Sequence, residues 1–170
     1  SFIGSTFVGP LGRSIATVGD VDQDGVLDVI VGGWALSPYH LGDAGRAVIF
    51  STRTGGLLRV FNGEPIGGRY DDADAFGLSV AGAGDVDGDA IPDVIVSAPW
   101  YPNFFPYGGN RGRVYVYSGR DGSLLRSFVG DSDGDELGCS IAGNCDVNAD
   151  GTPDVIVGVP RPFQGGAAVG

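Results

Sequence analysis

Three stretches of this chain align with one another without gaps, and that repetition limits the possible folds more than any other feature. The first is LGRSIATVGDVDQDGVLDVIVGGW, from Leu11 to Trp34. The second is FGLSVAGAGDVDGDAIPDVIVSAP, from Phe76 to Pro99. The third is LGCSIAGNCDVNADGTPDVIVGVP, from Leu137 to Pro160. They follow one another at spacings of 65 and 61 residues. The sequence between them repeats as well. Gly45–Ser51 (GRAVIFS) matches Gly112–Ser118 (GRVYVYS), and Gly165–Gly170 (GGAAVG) begins a third copy. Leu57–Gly63 (LLRVFNG) matches Leu124–Gly130 (LLRSFVG), whose end resembles the opening SFIG.

Each unit therefore holds four short candidate strands: A (SIA/SVA), B (DVIV), C (VYVY-type) and D (LLRSF-type). Gly-, Asp- and Thr-rich turns separate them, such as Gly119-Arg-Asp-Gly122 and Thr54-Gly-Gly56. A VIV run without alternation reads as a strand covered on both faces. Four-stranded units of about sixty residues whose sheets are covered on both sides predict sheets packed face to face in a ring, an all-β, β-propeller architecture. About three blades are expected. A β-sandwich is the plainer alternative, but it gives no reason for repeats of this period. The expected organisation is one propeller segment over 1–170 with units 5–63, 64–130 and 131–170. The last unit is incomplete, and residues 1–4 are the remnant of a preceding outer strand.

Composition agrees. Gly 32 and Pro 10 make up about a quarter of 170 residues, a level that can signal low complexity. Hydrophobic residues at 42% and a mean hydropathy of +0.12 argue against disorder. Glu occurs twice and Lys not at all, which speaks against a helical bundle. The net charge of −11 makes the chain a poor partner for a phosphate backbone. No apolar stretch is long enough to span a membrane. The absence of Met, even at position 1, leads us to expect a processed chain or a fragment.

The acid is nearly all Asp, 19 residues of 21, which points to a short carboxylate suited to turns and hard cations. The A–B loops carry it. Loop one offers Asp20, Asp22, Asp24 and Asp28. Loop two offers Asp85, Asp87, Asp89 and Asp93. Loop three offers Asp146, Asn148, Asp150 and Asp154. The donors occupy loop positions 1, 3, 5 and 9, and a main-chain carbonyl at position 7 (Val26, Ile91, Thr152) would complete the set. Carboxylates that converge repel unless a cation sits among them. Ca²⁺ suits such a set, being hard, taking six to eight oxygens and tolerating irregular geometry. Three structural Ca²⁺ are expected. An EF-hand is excluded, since position 12 is Val31, Val96 or Val157 inside a strand pattern. The plain alternative is that Asp/Gly loops are good turns; three copies in register, each followed by Asp-Val-Ile-Val, weigh against it. Loop one is expected to bind most tightly, because loop three carries Asn148 and loop two carries Ala90 where a left-handed residue is wanted.

With Phe76-Gly77 ahead of the second loop and Ser97-Ala98-Pro99 behind it, the chain resembles the FG-GAP repeats of the integrin α-subunit β-propeller and its bacterial relatives. Leu137-Gly138 with Gly158-Val159-Pro160, and Leu11-Gly12 with Gly32-Gly33-Trp34, are looser versions. The resemblance covers nearly the whole chain. It implies a calcium-stabilised propeller, extracellular or at the cell surface, used for binding. Integrin propellers close with seven blades, whereas this chain has fewer than three complete units.

In an antiparallel meander the A–B loops and C–D turns share one end of the blade, while the B–C and D–A connections share the other. The second end collects Trp34, Tyr39, Trp100, Tyr101, Phe104, Phe105 and Tyr107, together with the acidic runs Asp71–Asp74 and Asp131–Glu136. Aromatic, Pro-stiffened loops beside acidic ones make a candidate face for a protein or glycan ligand; packing between blades is the alternative for each ring. Asp131, Asp133 and Asp135 could form a further weak cation site.

Catalysis finds little support, since His40 is the one available imidazole. Cys139 and Cys145 are too far apart along one strand for a disulfide and are expected as buried thiols. Adhesion or ligand binding leads. A non-catalytic, glycan-binding accessory domain of a secreted enzyme and a purely structural array are the alternatives. The start and end of the chain read as a D strand lacking its C partner and a C strand lacking its D partner. Association with other copies, or with the remainder of a longer propeller, is therefore expected.

Overall fold

The computed structural model describes residues 11–33, 45–64, 74–101 and 109–160, with the backbone of two short strands at 163–164 and 167–168. The first sheet contains β1 (Ser14–Gly19), β2 (Asp28–Gly33), β3 (Arg46–Phe50) and β4 (Leu57–Asn62), in that order and antiparallel throughout. The second repeats it with β5 (Val80–Gly84), β6 (Asp93–Ala98), β7 (Arg113–Tyr117) and β8 (Leu124–Val129). The third has β9 (Ile141–Cys145) against β10 (Asp154–Val157). The innermost strands β1, β5 and β9 lie side by side in turn. Sheets that meet face to face along their first strands are the blades of a β-propeller.

Alternation explains the apolar runs. In β6 every residue is buried. Val94 and Val96 face the first sheet, in a cluster with Ile30, Ile49 and Phe61. Ile95 faces the other way, in a cluster with Ala81, Val114 and Val116 against which Ile141, Val155 and Val157 pack. The middle blade is thus covered on both faces, as its sequence predicts.

The Phe-Gly pair has a steric reason. Phe76 is fully buried and meets Tyr115 edge to face, with ring centroids 5.4 Å apart. A Cβ on Gly45 would lie 2.1 Å from the Phe76 carbonyl oxygen, and one on Gly77 2.4 Å from that of Arg46. The motif therefore lets the entry of one blade press backbone to backbone on the blade before it. Leu137 repeats the contact: a Cβ on Gly112 would lie 2.2 Å from its carbonyl oxygen.

Two expectations are corrected. Cys145 is exposed and Cys139 half-buried, in the turn ahead of β9 rather than on the same strand. In the first two blades the position matching Cys145 is Gly19 or Gly84, each under a proline of the following blade: an added Cβ would come within 2.5 Å of Pro92 Cγ or 2.7 Å of Pro153 Cγ. Among the described residues no such proline covers Cys145. The C strand expected at 165–170 is the pair Ala167–Ala168, which joins Phe163–Gln164 in a separate two-stranded sheet instead of extending β10. Its Gly- and Ala-rich sequence has a single β-branched residue, Val169, and no aromatic one, where β7 has two valines and two tyrosines.

Candidate metal centre

The three A–B loops are built on one hydrogen-bond plan. At position 1, the Asp20 carboxylate accepts the N–H of Asp24 at 2.9 Å and of Gly25 at 2.8 Å. Asp85 does the same for Asp89 (3.0 Å) and Ala90 (2.8 Å), and Asp146 for Asp150 (3.1 Å) and Gly151 (2.8 Å). The position 3 side chain (Asp22, Asp87, Asn148) accepts the N–H of position 5, at 3.2, 3.1 and 2.8 Å. The position 5 Oδ1 accepts the N–H of position 7, at Val26 (2.9 Å), Ile91 (2.7 Å) and Thr152 (2.8 Å).

Such curling needs two left-handed residues per loop. Position 6 is Gly25 (φ 87°), Ala90 (φ 67°) or Gly151 (φ 90°). Position 4 is Gln23 (φ 59°), Gly88 (φ 81°) or Ala149 (φ 61°). Each loop spends one glycine on two such positions, and loop two places it at position 4 instead of 6.

The curl gathers the side chains. One carboxylate oxygen from each of Asp20, Asp22 and Asp24 lies within 4.8 Å of the others, and Asp85, Asp87 and Asp89 form the same group. Asp24 Oδ2 is buried without a hydrogen-bond partner; Arg53 Nε stands 3.0 Å away but out of line for a bond. A buried, unsatisfied carboxylate oxygen beside two other carboxylates is an environment that fits a hard cation. In loop three Asn148 Nδ2 donates to Asp150 Oδ2 at 3.0 Å, so the amide answers one carboxylate internally. The Thr152 N–H, with the Asn148 side chain, holds the Asp150 carboxyl below the usual range.

Position 9 lies beneath. Asp28 and Asp93 are fully buried, outside the three-acid groups. Asp28 Oδ2 accepts the Val21 N–H at 2.8 Å and Oδ1 that of Thr52 at 3.3 Å. Asp93 accepts from Val86 (2.8 Å) and Gly119 (3.1 Å), and Asp154 from Val147 (2.8 Å). Burial pushes the carboxyls of Asp28 and Asp93 up, and these N–H bonds offset part of the rise. Because Thr52 and Gly119 belong to C–D turns, position 9 ties those turns to the A–B loops, at the end of the blade the meander assigns them.

The repeat alone did not point to Arg53 and Arg120. Each sits in a C–D turn, two residues after a buried serine (Ser51, Ser118), and reaches position 5 of the neighbouring loop. The matched spacing Ser-x-Arg-x-Gly in both turns was the available signal. Arg120 holds the Asp89 carboxyl below its ordinary range, with help from the Ile91 N–H.

At the opposite end, Tyr101 packs on the first core cluster, and its ring faces the Arg113 guanidinium at 5.1 Å. Tyr115 faces the same guanidinium at 4.6 Å. Trp100 is half-buried, and its main-chain N–H donates to the Asp74 carbonyl at 3.1 Å. Trp34, Tyr39, Phe104, Phe105 and Tyr107 lie outside the described residues. Asp133 pairs with Arg111 at 2.8 Å, and Asp135 accepts the Ser132 N–H at 2.9 Å.

Residues 76–117 match the FG-GAP repeat family. The chain is 32% identical to human integrin alpha-11 over 163 residues, which is 92% of this chain and 13% of that protein. It is 32% identical to chicken integrin alpha-6 over 165 residues, 92% of this chain and 14% of that protein. Chicken integrin alpha-V is 30% identical over 174 residues, 93% of this chain and 16% of that protein. The chain thus spans about one-seventh of the length of these relatives.

Proposed function

Because the chain belongs to the FG-GAP repeat family of integrin-like β-propellers, we propose that it is a calcium-binding propeller segment that serves adhesion or ligand binding outside the cell or at its surface. The observation that carries this reading is the convergence of three carboxylates at positions 1, 3 and 5 in the same loop of successive blades. Three Ca²⁺ would bind, one per A–B loop. Positions 1, 3, 5 and 9 and the carbonyls of Val26, Ile91 and Thr152 would supply oxygen. The ion's role is structural: it neutralises acids that a tight loop forces together. The reading is one of binding rather than catalysis. No helix among the described residues is long and apolar enough to cross a membrane.

The loops at the end away from the ions would meet a protein or glycan partner, while the open blade faces would meet further propeller blades or other copies. Capture on immobilised extracellular-matrix proteins and on glycan arrays, in calcium and in chelator, tests the reading. Calcium-dependent retention on a protein supports adhesion. Retention on glycans alone supports the accessory-domain alternative, and retention on neither removes the adhesive role.

A further inference from the structure

Arg53 and Arg120 occupy matching places in successive blades, and each reaches position 5 of its loop. Arg53 Nη2 donates to the Asp24 carbonyl at 2.6 Å, and its Nε lies 3.0 Å from Asp24 Oδ2. Arg120 Nη2 donates to the Asp89 carbonyl at 2.6 Å, and its Nε pairs with Asp89 Oδ2. The turns that carry them are fixed, by Thr52 N–H on Asp28 and Gly119 N–H on Asp93, and Arg59 donates to the Arg120 carbonyl from the preceding blade. The arginine side chains, by contrast, are 54% and 56% exposed. An exposed cation is thus held from a hydrogen-bonded turn against the position 5 carboxylate of a three-carboxylate group. Among the described residues, loop three has no arginine at its position 5 carboxylate.

We infer that Arg53 and Arg120 are tethered counter-cations that compete with the metal for position 5 and set the calcium affinity of loops one and two. This rests on the calcium reading and adds to it. Without metal, the guanidinium offsets one of three converging negative charges and keeps the loop curled. With a divalent ion among the carboxylates, the guanidinium meets like charge and swings into solvent. An exposed pair of this kind is cheap to break, so the arginine weakens calcium binding without preventing it. Loops one and two are then buffered against metal loss, and loop three is not.

The test is a calcium titration of the chelator-stripped chain followed by amide NMR. The N–H groups of Gly25, Ala90 and Gly151 each bond position 1 of their own loop at 2.8 Å, so they report the three loops separately. Arg53→Gln is expected to shift the Gly25 midpoint to lower calcium by roughly two- to tenfold, leaving the Ala90 and Gly151 midpoints in place. The shift should shrink as salt is added. Arg120→Gln should move Ala90 alone, and Arg53→Lys should stay near wild type. A Gly25 midpoint that stays put or moves to higher calcium in Arg53→Gln overturns the inference while the calcium reading stands. Wild-type amides that ignore calcium overturn both.

Discussion

At the residue scale, two side chains are held at odds with their surroundings. Ala90 takes φ 67° where loops one and three place glycine. A left-handed Ala costs about 1–2 kcal/mol, and glycine's extra freedom in the unfolded chain returns part of that. Ala90→Gly should therefore raise stability by roughly 0.5–1 kcal/mol in denaturant melts run in chelator. Asp74 is the second. It is fully buried, its Oδ1 accepts the Phe76 N–H at 2.9 Å, and its Oδ2 has no hydrogen-bond partner. Burial pushes its carboxyl up to about 7 from 3.8, with Glu64 adding to the rise. The folded state thus holds this proton more tightly than the unfolded state, so the group's contribution is fully present below pH 3.8 and is lost as pH climbs toward 7. The slope in that window should approach about 1.4 kcal/mol per pH unit. Asp74→Asn keeps the acceptor for Phe76 and should flatten that part of the stability–pH curve. An unchanged slope would place the proton elsewhere.

At the scale of elements, the blades interlock through loops as much as through sheets. Gly84 has φ 77°, and a Cβ there would sit 2.7 Å from Pro153 Cγ of the next blade's loop. Gly84→Ala is therefore expected to cost about 2 kcal/mol or more, from a left-handed alanine and a collision with a rigid ring. A thermal melt within a degree of wild type would contradict the interlock. The strands were legible because their period is stark: Asp93–Ala98 between turn residues at matched spacing can be little else. The ligand-type acids were legible because they recur in register. Arg53 and Arg120 were not, since an arginine in a Gly-rich turn has no periodicity, and only the fold brings that turn over the loop. The division of labour among the acids was equally hidden. Asp20 and Asp28 are alike in sequence, but Asp20 curls the loop and Asp28 lies buried, tying the C–D turn to it. Nor did the sequence reveal that Gly19 and Gly84 make room for Pro92 and Pro153, which is why Cys145 was expected to be buried.

At the scale of the molecule, each blade stacks a cluster of apolar side chains on its neighbour and carries an acidic loop at the same end. Hydrophobic packing between blades supplies the cohesion, and the proposed ions would remove the repulsion that the loops concentrate at that end. Metal loss should therefore loosen the loops before the sheets. Calcium binding by all three loops is measured by calorimetry of calcium titrated into the chelator-stripped chain, with thermal melts alongside. Three equivalents should bind. Asp20→Asn, Asp85→Asn and Asp146→Asn should each weaken or remove one of them, and the melting temperature should fall when chelator is added. Heats no larger than those of dilution, with melts indifferent to chelator, would contradict it and leave the Asp loops as turns alone.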